Sequence, residues 1–315
     1  MKHFVRGVLE KSPLKSRSAR DITEFAVPLF YHHASFRWHL DSRAAVKLIA
    51  VHDFLSSSNF CQDAFYKTIT TLPLAKLTLT EPLELYAVDL RGHHFSEKLW
   101  TPAEVEESYA WASAGDIVRL QREVVVNTAR VLGVGFGAMV AALAALAAPE
   151  AVQSLTLLVK DYAQLYRCDP TAYDLRAIIQ DAPKDARTIA DLNAYLKPKL
   201  PHPLDREFLL GNLKEDLDGA RFRFNERLLM MEKALTLPMA QVEGLHYPGP
   251  VKVIIYGGPD PSEAEMEAFK RQFPTATFHT SLRADRGFYD SEHIGKILLN
   301  SLDIVGAIEG NPEEE

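Results

Sequence analysis

From about residue 24 onward, short apolar runs rich in β-branched residues alternate with longer segments in which apolar positions recur at helical spacing. "EFAVPLFYHH" and "SFRWHL" read as an opening antiparallel pair of strands, and "VKLIAVHD", from about 46 to 53, as a buried strand too short for a helix. "NFCQDAFYKTITTL" then predicts a helix and "LELYAVDLRG" a strand. "TPAEVEESYAWASAGDIVRLQREVV" predicts a long helix with Thr101 as N-cap and Glu104 completing a capping box. A strand around "ARVLGV", a glycine-rich turn, an alanine-rich helix ending near Pro149 and the strand "SLTLLV" follow. Residues from about 162 to 245 change character. They read as mainly helical, with Pro183, Pro198, Pro201 and Pro203 and the aromatic-basic stretch "RFRFNERLLMMEKAL", and so as an inserted cap. The alternation resumes with the strand "PVKVIIYGG", the helix "PSEAEMEAFKRQF", the strand "TATFHTSL" and a last helix, "DSEHIGKILLNSLDIVGAI". This order predicts an α/β fold: a mostly parallel central sheet, helices on both faces and a helical cap insertion.

The division that follows is a basic arm or transit peptide over 1–22, a core over 23–161 and 246–309, a cap over 162–245 and an acidic tail over 310–315. At 315 residues, 47% hydrophobic and 24% charged, the chain has the composition of an ordinary globular protein. Its net charge of −7 supplies no general attraction to nucleic acid or anionic lipid. The first 20 residues are the exception: Lys2, Arg6, Lys11, Lys15, Arg17 and Arg20 face a single acid, Glu10. Phe4, Val5, Val8 and Leu9 share a helical face there, and a basic, acid-poor amphipathic start has the composition of a mitochondrial transit peptide. A solvated basic tail is the plainer alternative. Cys61 and Cys168 stand far apart in no metal-ligand spacing, so neither a disulfide framework nor a metal site is expected, and no motif calls for a cofactor. "AMVAALAALAA" is about half the roughly 20 residues needed to cross a bilayer and reads as a core helix.

Several segments carry a resemblance. "VHDFLSSSNF" is similar to H-G-x-x-G-S-x-x-N-[FW], "VDLRGHHFSE" to D-x-R-x-H-G-x-S, and "GVGFGAMVAALAALAAPEAV" to G-H-S-M-G-G followed by a helix and P-E-x-V. All three are segments of the α/β-hydrolase fold, the first its oxyanion loop and the last its nucleophile elbow. "FLLGNL" and "RFRFNERL" resemble a pairing in the cap of the abhydrolase-domain esterase branch, whose eukaryotic members are often mitochondrial. The resemblance spans roughly residues 25 to 305 and implies an elbow after the fifth strand and a cap after the sixth.

A hydrolase of this kind needs a nucleophile, a histidine base, an orienting acid and backbone N–H donors for the oxyanion. The resemblance puts the nucleophile at Gly135, which has no side chain, and no Ser, Cys, Asp or Lys stands anywhere from Val131 through Glu150. It puts the base at Arg286 or Gly287, in "RADRGFYDSEH", with His293 as the one salvage candidate and His279 already in a strand. The acid falls at Asp260 or Asp161, each equally readable as a turn or surface residue. In the oxyanion loop, Asp53 replaces the glycine after His52 and Ser56 the later one; a carboxylate beside a developing oxyanion is electrostatically adverse. Ser57, Ser58 and Cys61 lie near without a matched histidine. Gly133 and Gly137 suit the tight strand-to-helix turn, and glycine at 135 relieves the strain an elbow serine bears.

The expectation is therefore a catalytically inactive hydrolase-like protein, a structural or assembly component of a larger complex in the mitochondrial matrix, with a ribosome or ribosome-assembly particle as one host. Protein partners, and RNA through the basic arm, would meet Lys2, Arg6, Lys11, Lys15, Arg17 and Arg20, or Arg221, Arg223 and Arg227 with Phe222 and Phe224 in the cap. Two alternatives stay open: a non-catalytic module binding an acyl or other apolar ligand, and a hydrolase using an unconventional residue such as Cys61 or His293.

Overall fold

A computed structural model describes residues 22–36, 44–71, 81–96, 109–167, 170–201, 203–217, 219–222, 228, 236–237, 242–256, 258–281, 294–297 and 299. The strands before the insertion are β1 (Tyr31–Phe36), β2 (Val46–Val51), β3 (Leu83–Val88), β4 (Ala129–Val134) and β5 (Val152–Val159). Two short strands within it, β6 (Leu213–Asp216) and β7 (Gly219–Phe222), pair only with each other, and β8 (Val251–Tyr256) and β9 (Ala276–Ser281) follow. Among the described residues the main sheet has seven strands in the order β1-β3-β2-β4-β5-β8-β9. All neighbours are parallel except β1, which runs antiparallel to β3 with Tyr31 opposite Val88 and Phe36 opposite Leu83. The expected opening hairpin is thus corrected: the antiparallel partner of "YHHASF" is β3, and residues 37–43 lie outside the described residues.

The apolar runs of the central strands bury both faces, as parallel strands under helices must. Leu48, Ala50, Leu132, Val134 and Leu158 face one core, with Cys61 and Phe65 of α1 (Ser58–Thr71) and with Ile294 and Leu299. Ile49, Val51, Val131, Leu155 and Leu157 face the other core, with α2 (Tyr109–Leu120) and α3 (Phe136–Ala147). α3, "FGAMVAALAALA", is apolar on every side, and Phe136 through Leu146 are all buried beside β4. α2 continues into a π-helical turn, Gln121–Val125, whose last carbonyl accepts from Lys47 Nζ at 2.7 Å. The predicted Thr101 cap lies outside the described residues.

After β5 the chain makes a short 3-10 turn, Tyr162–Leu165, and then α4 (Pro170–Gln180), α5 (Ile189–Leu196) and α6 (Pro203–Leu210). The expectation of a mainly helical insertion omits the antiparallel hairpin of β6 and β7. The hairpin turns at Gly219, where φ is +116° and the carbonyl of Ala186 lies against the α-carbon. α7 (Glu263–Lys270) begins with a Ser262–Glu265 capping box between β8 and β9.

Candidate functional site

The strand-to-helix turn between β4 and α3 places Gly135 at φ +57°, ψ −121°, in a region that favours glycine. Its N–H donates to Leu158 O at 2.8 Å, and Ala138 N donates back to Gly135 O at 3.0 Å. The flanking glycines are required by contact. A β-carbon on Gly133 would overlap the Gly137 carbonyl and Ala138, and one on Gly137 would overlap the carbonyls of Val51 and His52. β2, β4 and α3 therefore meet backbone to backbone at this turn.

Asp53 closes the site. Its Oδ1 accepts from Phe54 N at 2.7 Å and from Phe136 N at 2.6 Å, and the residue is almost wholly buried. One donor follows the elbow residue and opens α3; the other belongs to the loop after β2, the two sources of an oxyanion hole in this architecture. A β-carbon on Gly135 would coincide with the Asp53 carboxylate, meeting its carbon and both oxygens. The expectation that glycine at 135 relieves elbow strain fits these dihedrals, and the missing β-carbon in addition makes room for Asp53. The carboxylate is also more than an adverse neighbour of the hole, because it is the anion seated in it, next to the positive end of α3.

Around this centre the segment "VDLRGHH" acts as a brace. Asp89 accepts from Ser58 N at 2.7 Å, capping α1 from another element, and from Phe95 N at 3.1 Å, with His94 Nδ1 at 3.3 Å. Burial pushes the Asp89 carboxyl up, but the bond to His94, the proximity of His52 and the Ser58 donors outweigh it and hold the group down at about 2. His52 Nε2 accepts from Leu90 N at 3.0 Å while Nδ1 lies 2.6 Å from Asp53 O. His93 Nε2 accepts from Leu55 N at 3.1 Å, with Nδ1 at 3.2 Å from Arg91 O. Both rings thus sit as the neutral Nδ1–H tautomer. Burial lowers His52 to about 4 and His93, beside His52, to about 3. His94 takes φ +42° where the resemblance has glycine, and Leu55 takes +60°. Arg91 forms a buried two-point pair with Asp116, Nε to Oδ2 at 2.6 Å and Nη2 to Oδ1 at 2.5 Å, and also donates to the carbonyls of Phe25 and Ala112.

The cap reaches the same loop. Asn212 Nδ2 donates to Leu55 O at 3.2 Å and to Phe208 O at 3.0 Å, and Leu228 packs on Gly92, whose φ is +77°. Sequence reasoning missed Asp89, Arg91, His93, Asp116 and Asn212 as parts of the site; the "VDLRGHH" and "FLLGNL" segments were the available signal.

The remaining expected residues fall elsewhere. Asp161 caps the 3-10 turn through Gln164 N at 3.2 Å, and Asp260 is exposed and accepts from Thr280 Oγ1. His279 lies on β9, exposed, 3.2 Å from Thr277 Oγ1. Cys61 is fully buried; burial, with the charges of Asp89 and Asp53, pushes its thiol up to about 12, so no thiolate forms at neutral pH. Arg221 is exposed on β7 opposite Lys214. Lys2, Arg6, Lys11, Lys15, Arg17, Arg20, Arg223, Phe224, Arg227, Arg286, Gly287 and His293 lie outside the described residues. Among the described residues no group of three or more His, Cys, Asp or Glu is placed to hold a metal ion, and no helix is long and apolar enough to cross a membrane.

A sequence profile described as alpha/beta hydrolase fold matches residues 64–215, from α1 through the elbow and into the hairpin. The chain has the α/β-hydrolase fold. An abhydrolase domain-containing protein of Schizosaccharomyces pombe is 28% identical to it over 199 residues, 61% of this chain and 70% of the relative. Among solved structures, a marine microorganism esterase superposes with a TM-score of 0.66 at 18% identity, over 89% of this chain and 100% of that one. E-2-(acetamidomethylene)succinate hydrolase does so at 0.58 and 19% identity, over 90% and 97%. At those identities the structural likeness concerns the fold, and the site of this hydrolase-fold protein is read from its own residues.

Proposed function

We propose that this hydrolase-fold chain is non-catalytic and serves as a structural or assembly component of a larger complex in the mitochondrial matrix. One observation carries the reading: the Asp53 carboxylate is seated in the oxyanion hole above an elbow residue, Gly135, that has no side chain. Acyl transfer needs a nucleophile at the elbow and a vacant hole for the developing negative charge. A fixed carboxylate there repels that charge and takes its donors. The buried, protonated Cys61 supplies no substitute, and His52 and His93 are committed to backbone groups.

The mitochondrial part rests on the basic, acid-poor first 20 residues. A ribonucleoprotein host, such as a ribosome or a particle in its assembly, is favoured by a basic arm on an otherwise acidic chain. The test is purification of the tagged protein at native abundance from organelle extract, with and without ribonuclease. Stoichiometric recovery in a large particle supports a complex subunit, and ribonuclease sensitivity supports the ribonucleoprotein host. Elution as a lone 35.3 kDa species would replace that role with a ligand-binding one. Short-chain ester turnover above buffer would end the non-catalytic reading. Gly135→Ser alone is expected to create no esterase activity, since the new side chain collides with the Asp53 carboxylate and has no place in this backbone while Asp53 is present.

A further inference from the structure

We propose that the elbow is a carboxylate-binding site occupied from within: Asp53 is its tethered ligand, Gly135 is what admits that ligand, and the two residues form one coupled device. This rests on the non-catalytic reading above, but it concerns how the site is held. Two N–H groups from different elements, Phe54 in the loop after β2 and Phe136 at the head of α3, converge on one oxygen of one carboxylate. Each is held by contacts beyond the Asp53 carboxylate. Phe136 N is oriented by the elbow dihedrals of Gly135 and by the α3 register. The loop carrying Phe54 is held by His93 Nε2 on Leu55 N, by Asn212 on Leu55 O, and by the Asp89 carboxylate on Ser58 N. Phe54 itself packs edge-on against both His93 and Phe136.

A preformed pair of converging donors at a helix head binds anionic oxygen whoever supplies it. The chain supplies its own, and the space for that carboxylate is the space of the Gly135 β-carbon. Asp53 and a side chain at 135 are therefore mutually exclusive in this backbone. The replacements at 53 and 135 are then one change in two places, converting a hole for a transient oxyanion into a permanent fastener between β2 and α3. The ligand class is a small monocarboxylate.

Two measurements on the full chain test this, with far-UV circular dichroism and ester turnover recorded for every variant. The first is a double-substitution cycle in urea. Gly135→Ala in the otherwise unchanged protein is expected to raise the unfolding equilibrium constant on the order of 100-fold, the scale of overpacking a filled site. In the Asp53→Gly background the same change should raise it no more than about tenfold, leaving only the backbone cost of a positive φ. If Gly135→Ala prevents folding with Asp53 present and permits it in the Asp53→Gly background, the coupling is shown more directly. Equal penalties in both backgrounds, or failure to fold in both, overturn it. The second measurement follows the Phe54 and Phe136 amide resonances while sodium formate is added against a sodium chloride control. In Asp53→Gly both should move together and saturate; in the parent protein neither should move. Unresponsive amides in a folded Asp53→Gly protein overturn the carboxylate site. Either failure leaves the non-catalytic reading standing, whereas turnover by the parent chain removes that reading whatever the cycle shows.

Discussion

A charge taken out of water depends on its partner, and removing one member of a buried pair leaves the other stranded. Arg91 and Asp116 are such a pair, both almost fully inaccessible, with Asp116 also accepting from Val27 N at 2.7 Å. Burial pushes Asp116 up to about 6 against the pull of Arg91, so the pair is ionised at neutral pH. Asp116→Ala is expected to destabilise the protein by about 3 to 5 kcal/mol in urea unfolding, leaving the guanidinium without its counter-ion. The histidines set the pH response. His52 and His93 have folded pKa values near 4 and 3 against an ordinary 6.5, so between these limits the unfolded chain takes up protons that the folded chain refuses. The contribution of these two rings is complete above pH 6.5 and falls as pH drops toward 4, by on the order of 7 kcal/mol, of which Asp116, protonated first in the folded chain as pH falls through 6, offsets about 3. Asp89, held near 2 against an ordinary 3.8, adds a further loss on the same side as pH falls through 4 toward 2. Urea midpoints from pH 8 to 4 would check this, and a midpoint flat across that range would contradict neutral, buried rings.

At the scale of elements, the contact between β2, β4 and α3 is decided by backbone proximity at two glycines. Gly137→Ala drives a β-carbon into the carbonyls of Val51 and His52, atoms that belong to the strand and its loop and cannot turn aside. It is expected to cost at least about 3 kcal/mol, or to prevent folding. Gly244→Ala is the control: φ there is +76°, yet nothing lies within 4 Å of the new carbon, so only a backbone cost of about 1 to 2 kcal/mol remains. Thermal melts of the two variants side by side distinguish steric from conformational cost. Asn212 provides the corresponding link between cap and core. Asn212→Ala, which removes both its bonds, is expected to lower stability by about 1 to 3 kcal/mol.

For the whole molecule, the scaffold of a hydrolase is intact while its reactive centre is filled. The brace of Asp89, Arg91 and His93 and the glycines of the turn serve the packing of the sheet and its helices, and they are present. At the elbow, Gly135 carries no side chain and the Asp53 carboxylate takes the space beside it. The assembly role proposed above asks of this scaffold a stable surface for partners, and it is tested by what the chain assembles with. The expected result at this scale is co-migration of the chain with a large particle on a sizing column; elution as a lone species would contradict the assembly role.

Much of this was legible in the chain itself. Short, β-branched apolar runs such as "VKLIAV" and "ARVLGV", and an alanine-rich helix apolar on every side, determine a buried parallel sheet, because only strands and helices covered on both faces tolerate such patterns. The absent side chain at Gly135 and the carboxylate at Asp53 are equally matters of sequence. What the sequence did not determine is that these two meet. Asp53 and Gly135 are far apart along the chain, and their relation depends on a register between β2 and β4 that puts Val51 opposite Gly133. Likewise, β1 pairs antiparallel with β3, a choice made by pairing across the sheet and invisible to local pattern. Local periodicity therefore settled which segments become strands and helices, and only the folded packing decided that the Asp53 carboxylate takes the space a side chain at 135 would need.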